Sequence, residues 1–116
     1  MFRFDPGLRV YLHRDPVDGR KAINGLALLV EQELGLDPFA PALFVFSNRR
    51  RDRVKILLWE RNGFWLLAKR LEEDRFNWPR TEALCQLTTE QLHWLLNGID
   101  LGAMRPHPQR EYRRVG

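Results

Sequence analysis

At 116 residues the chain is long enough for one domain with a two-layer core and too short for two independent cores, and its 44% apolar and 29% charged residues are those of an ordinary globular protein. A net charge of +4 and a pI near 9.8 favour nucleic acid or another anionic partner. Cys85 stands alone, which excludes a disulfide framework and a cysteine metal site. The sequence has neither a secretory h-region nor a membrane-length apolar run, so a cytoplasmic location and no membrane partner are expected.

In chain order, residues 8–13 read as a short strand after the Asp5-Pro6-Gly7 turn, and residues 13–20 as a loop with two turn signals. From residue 20 to 34, Ile23, Leu26, Ala27, Val30 and Leu34 keep the i, i+3, i+4, i+7 spacing of one helix face. Asp18 is the expected N-cap and Gly35 the expected C′ residue. Gly25, inside this helix, implies a close backbone approach, expected to be to the sheet. Arg20 and Lys21 then fall in the first helical turn, where the macrodipole prefers acids. Two readings follow: both side chains reach into solvent or to Asp15 and Asp18, or they form an anion site with the helix N-terminus.

After a linker at residues 36–42 come three antiparallel strands, predicted at 43–47, 53–61 and 64–71. Asn62-Gly63 is the strongest two-residue hairpin signal, because a type I′ turn needs positive φ at both positions. In that register Leu58 faces Leu67 and Lys55 faces Arg70. Val54, Ile56, Leu58, Trp65, Leu67 and Leu71 share one face, and Leu57, Trp59, Phe64, Leu66 and Ala68 the other, so both faces require cover. Arg49, Arg50, Arg51 and Arg53 crowd the first turn, and Lys55, Lys69 and Arg70 join them at one end of the sheet. The group is either a solvated sheet end or a phosphate site, in which a polyanion relieves the like-charge repulsion.

Beyond the acidic run Glu72-Glu73-Asp74, Phe76 and Trp78 alternate like a short edge strand that Pro79 ends. Thr88 and Gln91 form a capping box for a second helix with Leu92, Leu95, Leu96 and Ile99 on one face, stopped near Gly98. Residues 102–116, with Arg105, Arg110, Arg113 and Arg114, read as a basic tail beyond a single α+β domain at 1–101. His13, His93 and His107 lack metal-ligand spacing, and His93 reads as a partly buried structural residue. No phosphate loop, nucleophile elbow or catalytic triad is present, and Asp15, Asp18, Asp52 and Asp74 suit caps and turns better than a two-metal site. No catalytic residue, metal or cofactor is assigned. Trp59, Trp65, Trp78 and Trp94 are expected in the core, although Trp59 or Phe64 on an exposed sheet face would stack on a base or a partner protein.

One family combines these pieces in this order. Val10-Tyr11-Leu12, Asp18, Arg20-Lys21, Gly25-Leu26, Asp37-Pro38-Phe39, Phe44-Val45-Phe46, Asn48-Arg49-Arg50, Asp52-Arg53, Lys55-Ile56-Leu57, Trp59, Gly63, Lys69-Arg70-Leu71-Glu72, Trp78-Pro79, Leu87-Thr88 and Gly98-Ile99-Asp100 span about 90 residues. Together they resemble the small TnpB-type, or second-frame, protein encoded beside the transposase in the insertion sequence sixty-six family. Gly19, Asn24, Glu60 and Asp74 depart from that pattern, and no departure removes a basic residue of the clusters. The resemblance implies an accessory role in transposition, with strand cleavage and joining left to a separate transposase.

The expectation is therefore an α+β fold: a small antiparallel sheet built on a central three-stranded meander, with two helices packed on it. The expected function is a non-catalytic transposition accessory factor whose partners are DNA and the cognate transposase. DNA phosphates, or the transposase–DNA complex, would be held by Arg20, Lys21, Arg49, Arg50, Arg51, Arg53, Lys55, Lys69 and Arg70. The alternatives are a protein-interaction module that docks on the transposase with little DNA contact and, ranked last, a small metal-dependent nuclease.

Overall fold

The central strand of the sheet explains the layering. In the computed structural model, which describes residues 2–101, every residue of β2 (Ala42–Ser47) is buried, so both faces of the sheet are covered. The other strands are β1 (Arg9–His13), β3 (Arg53–Glu60), β4 (Gly63–Arg70) and β5 (Leu84–Leu87), in the order β4-β3-β2-β1-β5. Helix α1 (Ile23–Gln32) carries the chain from β1 to β2, which pair in parallel. Every other neighbouring pair is antiparallel. A parallel pair needs such a crossover, and here it supplies the cover for one face. The fold is thus a small α+β fold, as expected, and its sheet is mostly antiparallel, the parallel β1–β2 pair departing from the antiparallel sheet expected.

Leu26, Leu29 and Val30 of α1 pack on Phe44, Phe46 and Leu57. On the opposite face, Leu92 and Leu95 of α2 (Thr89–Leu96), with Phe4, Phe76, Trp78 and Leu101, cover Val10, Leu12, Leu43, Val45, Val54 and Ile56. The alternation in β3 and β4 sorts their side chains between these two cores as the sequence requires. The helix stops also match. The Thr88–Gln91 capping box is present in both directions, and Gly35 and Gly98 take positive φ after their helices.

Several expectations need correction. The β3–β4 register is shifted, with Leu58 facing Trp65 and Lys55 facing Ala68. The turn residues are Arg61 and Asn62 rather than Asn62 and Gly63; Arg61 takes φ of 57°, and the Asn62 N–H donates to the Glu60 carbonyl. A one-residue shift of each strand leaves the parity intact, so the faces survive while the opposed cations become Arg53 and Arg70. Helix α1 starts later than expected, at Ile23 after the N-cap Ala22. Asp18 caps a preceding turn instead, its carbonyl accepting from Lys21 N–H and its carboxylate from Arg20 N–H. Arg20 and Lys21 therefore lie just ahead of the helix rather than in its first turn. At Gly25 a Cβ would lie 2.7 Å from Lys21 Cγ, so the close approach is to that lysine's stem and not to the sheet.

Phe76 and Trp78 form no strand. They are buried plugs, Phe76 N–H donating to the Arg51 carbonyl and the Trp78 indole N–H to the His13 carbonyl. The edge beside β1 is taken by β5. Trp65 is 55% exposed rather than in the core, and Ile99 is also exposed. The basic tail at residues 102–116 lies outside the described residues.

Candidate nucleic-acid interface

The carboxyl ends of the parallel strands β1 and β2 lie at the same end of the sheet, where open sheets with crossover helices commonly bind ligands. The turn from β2 to β3 is organised by Asn48. Its Oδ1 accepts from the backbone N–H of Asp52 at 3.2 Å and of Arg53 at 3.1 Å, and its Nδ2 donates to Asp52 Oδ1 at 2.7 Å. That last bond, ahead of the nearby arginines, holds the Asp52 carboxyl below its usual value. Such side-chain bonding to nearby backbone is what makes Asn a turn residue. Val17 N–H donates to the Ser47 carbonyl at 2.8 Å, stitching the loop after β1 onto this turn. The result is a shallow groove between residues 16–19 and 48–50.

The predicted basic residues divide into two groups here. Arg51 turns inward at φ of 60°, donating to Ser47 Oγ and, at 2.9 Å, to the Arg14 carbonyl. Its guanidinium sits 5.4 Å from the Trp78 ring centroid. Burial, followed by the charge of Arg80, lowers its pKa from the ordinary arginine value. Lys55 also turns inward, its Nζ donating to the carbonyls of Gly19 at 2.6 Å and Lys21 at 2.7 Å. Lys69 lies on the other face and donates to the Leu96 carbonyl at the end of α2, a favourable place for a cation. Arg51 and Lys55 brace the fold, and Lys69, itself exposed, ties β4 to the end of α2.

The second group faces water. Arg49, Arg50 and Arg53 are exposed around the β2–β3 turn, and Arg53 opposes exposed Arg70 across β3 and β4. Arg20 is exposed across the groove and paired with Asp18 at 2.9 Å. The Arg20 guanidinium holds the Asp18 carboxyl well below the usual carboxylate range. Lys21 is half-buried beside it. Asp52 lies 3.8 Å from Arg50, and Glu72 lies 3.1 Å from Arg70. Ion pairs this exposed contribute little, so a phosphate oxygen can replace the carboxylate at small cost. The first turn of α1 adds neither a capping side chain nor an acid. Chemically this end suits contact with a polyanion backbone, and among the described residues it displays no base-reading helix.

Among the described residues, no group of three His, Cys, Asp or Glu could hold a metal ion, and no helix is long and apolar enough to cross a membrane. His93 is structural, its Nε2 accepting from Phe4 N–H at 3.1 Å. Sequence reasoning missed the organising role of Asn48, although Asn48 followed by Asp52 carried the turn signal. It also missed the aromatic cluster at the far end, where Phe39 joins Trp59 and Phe64 with centroids 4.9 and 5.4 Å away. Phe39 lies in the linker, remote in sequence from the hairpin it touches.

Comparison with known proteins agrees with the sequence resemblance. The chain is 32% identical over 110 residues to the uncharacterized protein y4jC of Sinorhizobium fredii (strain NBRC 101917 / NGR234), covering 94% of each chain. It is 36% identical over 107 residues to the uncharacterized protein y4hO of the same strain, covering 91% of this chain and 90% of that one. No solved structure matches. The family model described as IS66 Orf2 like protein, of the TnpB type, matches residues 8–106, and the chain belongs to that insertion-sequence family.

Proposed function

We propose that the protein is a non-catalytic accessory factor of transposition that holds DNA phosphates, or the transposase–DNA complex, at the arginine-rich end of its sheet. The observation that carries this reading is the division of the basic residues. Arg51 and Lys55 are half-buried and bonded to carbonyl and hydroxyl acceptors, and exposed Lys69 is bonded to the Leu96 carbonyl, whereas Arg49, Arg50 and Arg53 stand exposed around the turn. Arg20, Lys21 and Arg70 flank them. Exposed like charges opposed across two strands cost stability, and counterion release on phosphate binding offsets that cost. Membership of the insertion-sequence family supplies the setting, with the cognate transposase as the second partner.

The test is binding of duplex DNA to the isolated chain over a salt series. The expected result is sequence-tolerant binding whose affinity falls linearly with salt on logarithmic axes. Absence of binding at low salt, together with capture of the transposase by the chain, would favour a module that docks on protein. The exposed Phe39 beside Trp59 and Phe64 favours that second reading, because exposed aromatic clusters mark protein contacts.

A further inference from the structure

Among the described residues, the sheet ends on one side in an edge strand whose charges are confined to its last two residues, Lys69 and Arg70. Natural edges are kept short or interrupted by charge, proline or a bulge. β5, the other edge, has four residues, whereas β4 has eight and runs from Gly63 to Ala68 without a charge or a proline. Within it Trp65 is 55% exposed, Ala68 is exposed, and Leu66 and Leu67 are only half-buried.

We propose that β4 pairs antiparallel with β4 of a second copy about a two-fold axis at Leu66, joining two five-stranded sheets into one of ten. An axis perpendicular to the sheet keeps each face continuous, so facing residues share parity. About Leu66, Trp65 then faces Leu67 of the second copy, Phe64 faces Ala68, and Lys69 faces Gly63. Apolar side chains meet apolar ones, and no like charges oppose, which is the pairing a strand edge favours. Shifting the axis to Leu67 would instead set Trp65 against Lys69 and Phe64 against Arg70.

The surface beside the edge is self-complementary in the way a two-fold contact demands. Next to Leu67 a cavity of about 350 Å³ opens on the α2 face, lined by Phe4, Ile56, Leu67, His93 and Leu96. Trp65 lies on that same face two residues away, its indole N–H held toward the turn by Glu60 Oε1 at 2.9 Å. The indole is bonded back to Glu60 at the end of β3, and each copy offers a half-buried Leu67 beside the cavity. The symmetric register sets Trp65 of one copy opposite Leu67 of the other. Because the paired strands run in opposite directions, the two arginine-rich ends lie at opposite extremes of the joined sheet. The pairing itself does not depend on the DNA reading.

Sedimentation velocity of the full chain over a concentration series tests the pairing, with oxidative cross-linking of Leu66→Cys as a second readout. Facing Cα atoms in an antiparallel pair lie about 4.5–5.5 Å apart, within disulfide range. The expected results are a reversible dimer, an intermolecular cross-link in Leu66→Cys, and no link in the parent chain, whose Cys85 is buried. Trp65→Ser and Ala68→Glu, both at exposed positions, are expected to weaken the dimer by roughly tenfold or more with the fold retained by circular dichroism. A chain that stays monomeric throughout overturns the proposal, even if another protein's strand is found on this edge. So does a dimer that neither variant weakens and Leu66→Cys does not cross-link.

Discussion

At the arginine-rich end of the sheet the turns are cross-braced by side chains, whereas the β3–β4 hairpin end is closed by a short turn and aromatic packing. Asn48, Arg51 and Lys55 tie the β2–β3 turn and the loop after β1 to one another through carbonyl, hydroxyl and amide partners. At the other end Phe39, Trp59 and Phe64 pack together with Trp59 edge-on to both phenylalanines, and the Trp65 indole N–H donates to Glu60. The difference teaches that a basic cluster is not one functional unit. Cations facing inward are structural because neutral oxygens surround them, and only those facing outward are free to exchange partners.

The largest effect is expected where the bracing is densest. Arg51→Ala leaves the Arg14 carbonyl and Ser47 without their donor and removes the packing against Trp78. Urea unfolding is expected to show a loss of about 2 kcal/mol, the usual cost of stranding such groups. Lys55→Met leaves the carbonyls of Gly19 and Lys21 without that donor, and a loss of about 1–2 kcal/mol is expected by the same measurement. If either variant instead melted like the parent while losing DNA affinity, the division into bracing and exposed cations would be wrong for that residue.

Acid sharpens the contrast from the opposite face. His93 accepts from Phe4 N–H, so it must be neutral there, and burial followed by the charge of Arg3 lowers its pKa from the ordinary 6.5. Burial also lowers the pKa of His13. A group whose folded value is depressed contributes stability that is complete above its unfolded value and is lost as pH falls through the folded one. Stability is therefore expected to decline as pH drops below about 6.5, and His93→Gln, which keeps an acceptor, is expected to make the decline shallower. A decline identical in the variant would place the sensitivity elsewhere. The smallest effect is expected at Arg53, which opposes Arg70. Arg53→Gln is expected to raise stability by a few tenths of a kcal/mol at low salt, read by thermal melting, with the gain shrinking as salt rises.

Much of this architecture could be read from residue order. Alternation assigned the β3 and β4 side chains to the correct faces, and the Thr88–Gln91 box and Gly98 bounded α2 because caps are local chemistry. The hairpin register was not legible, because Arg61 takes the positive φ that Asn62-Gly63 was expected to supply. Phe76 and Trp78 alternate like a strand, yet their N–H groups go to carbonyls of Arg51 and His13, partners remote in sequence. The candidate site was legible as a cluster and not as a division. The carbonyls that capture Lys55 carry no sequence signature, so its structural role emerges only once residues 19–21 are seen beside β3.

The salt dependence of duplex DNA binding, compared between the parent chain and Arg49→Ala/Arg50→Ala/Arg53→Ala, tests the outward group most directly. The three side chains are exposed, so the melting temperature is expected to stay close to that of the parent. The slope of log affinity against log salt is expected to fall by roughly 2–3 units, somewhat under one for each phosphate no longer neutralised. An unchanged slope with the fold intact would contradict the account and leave the arginine-rich end as a solvated surface.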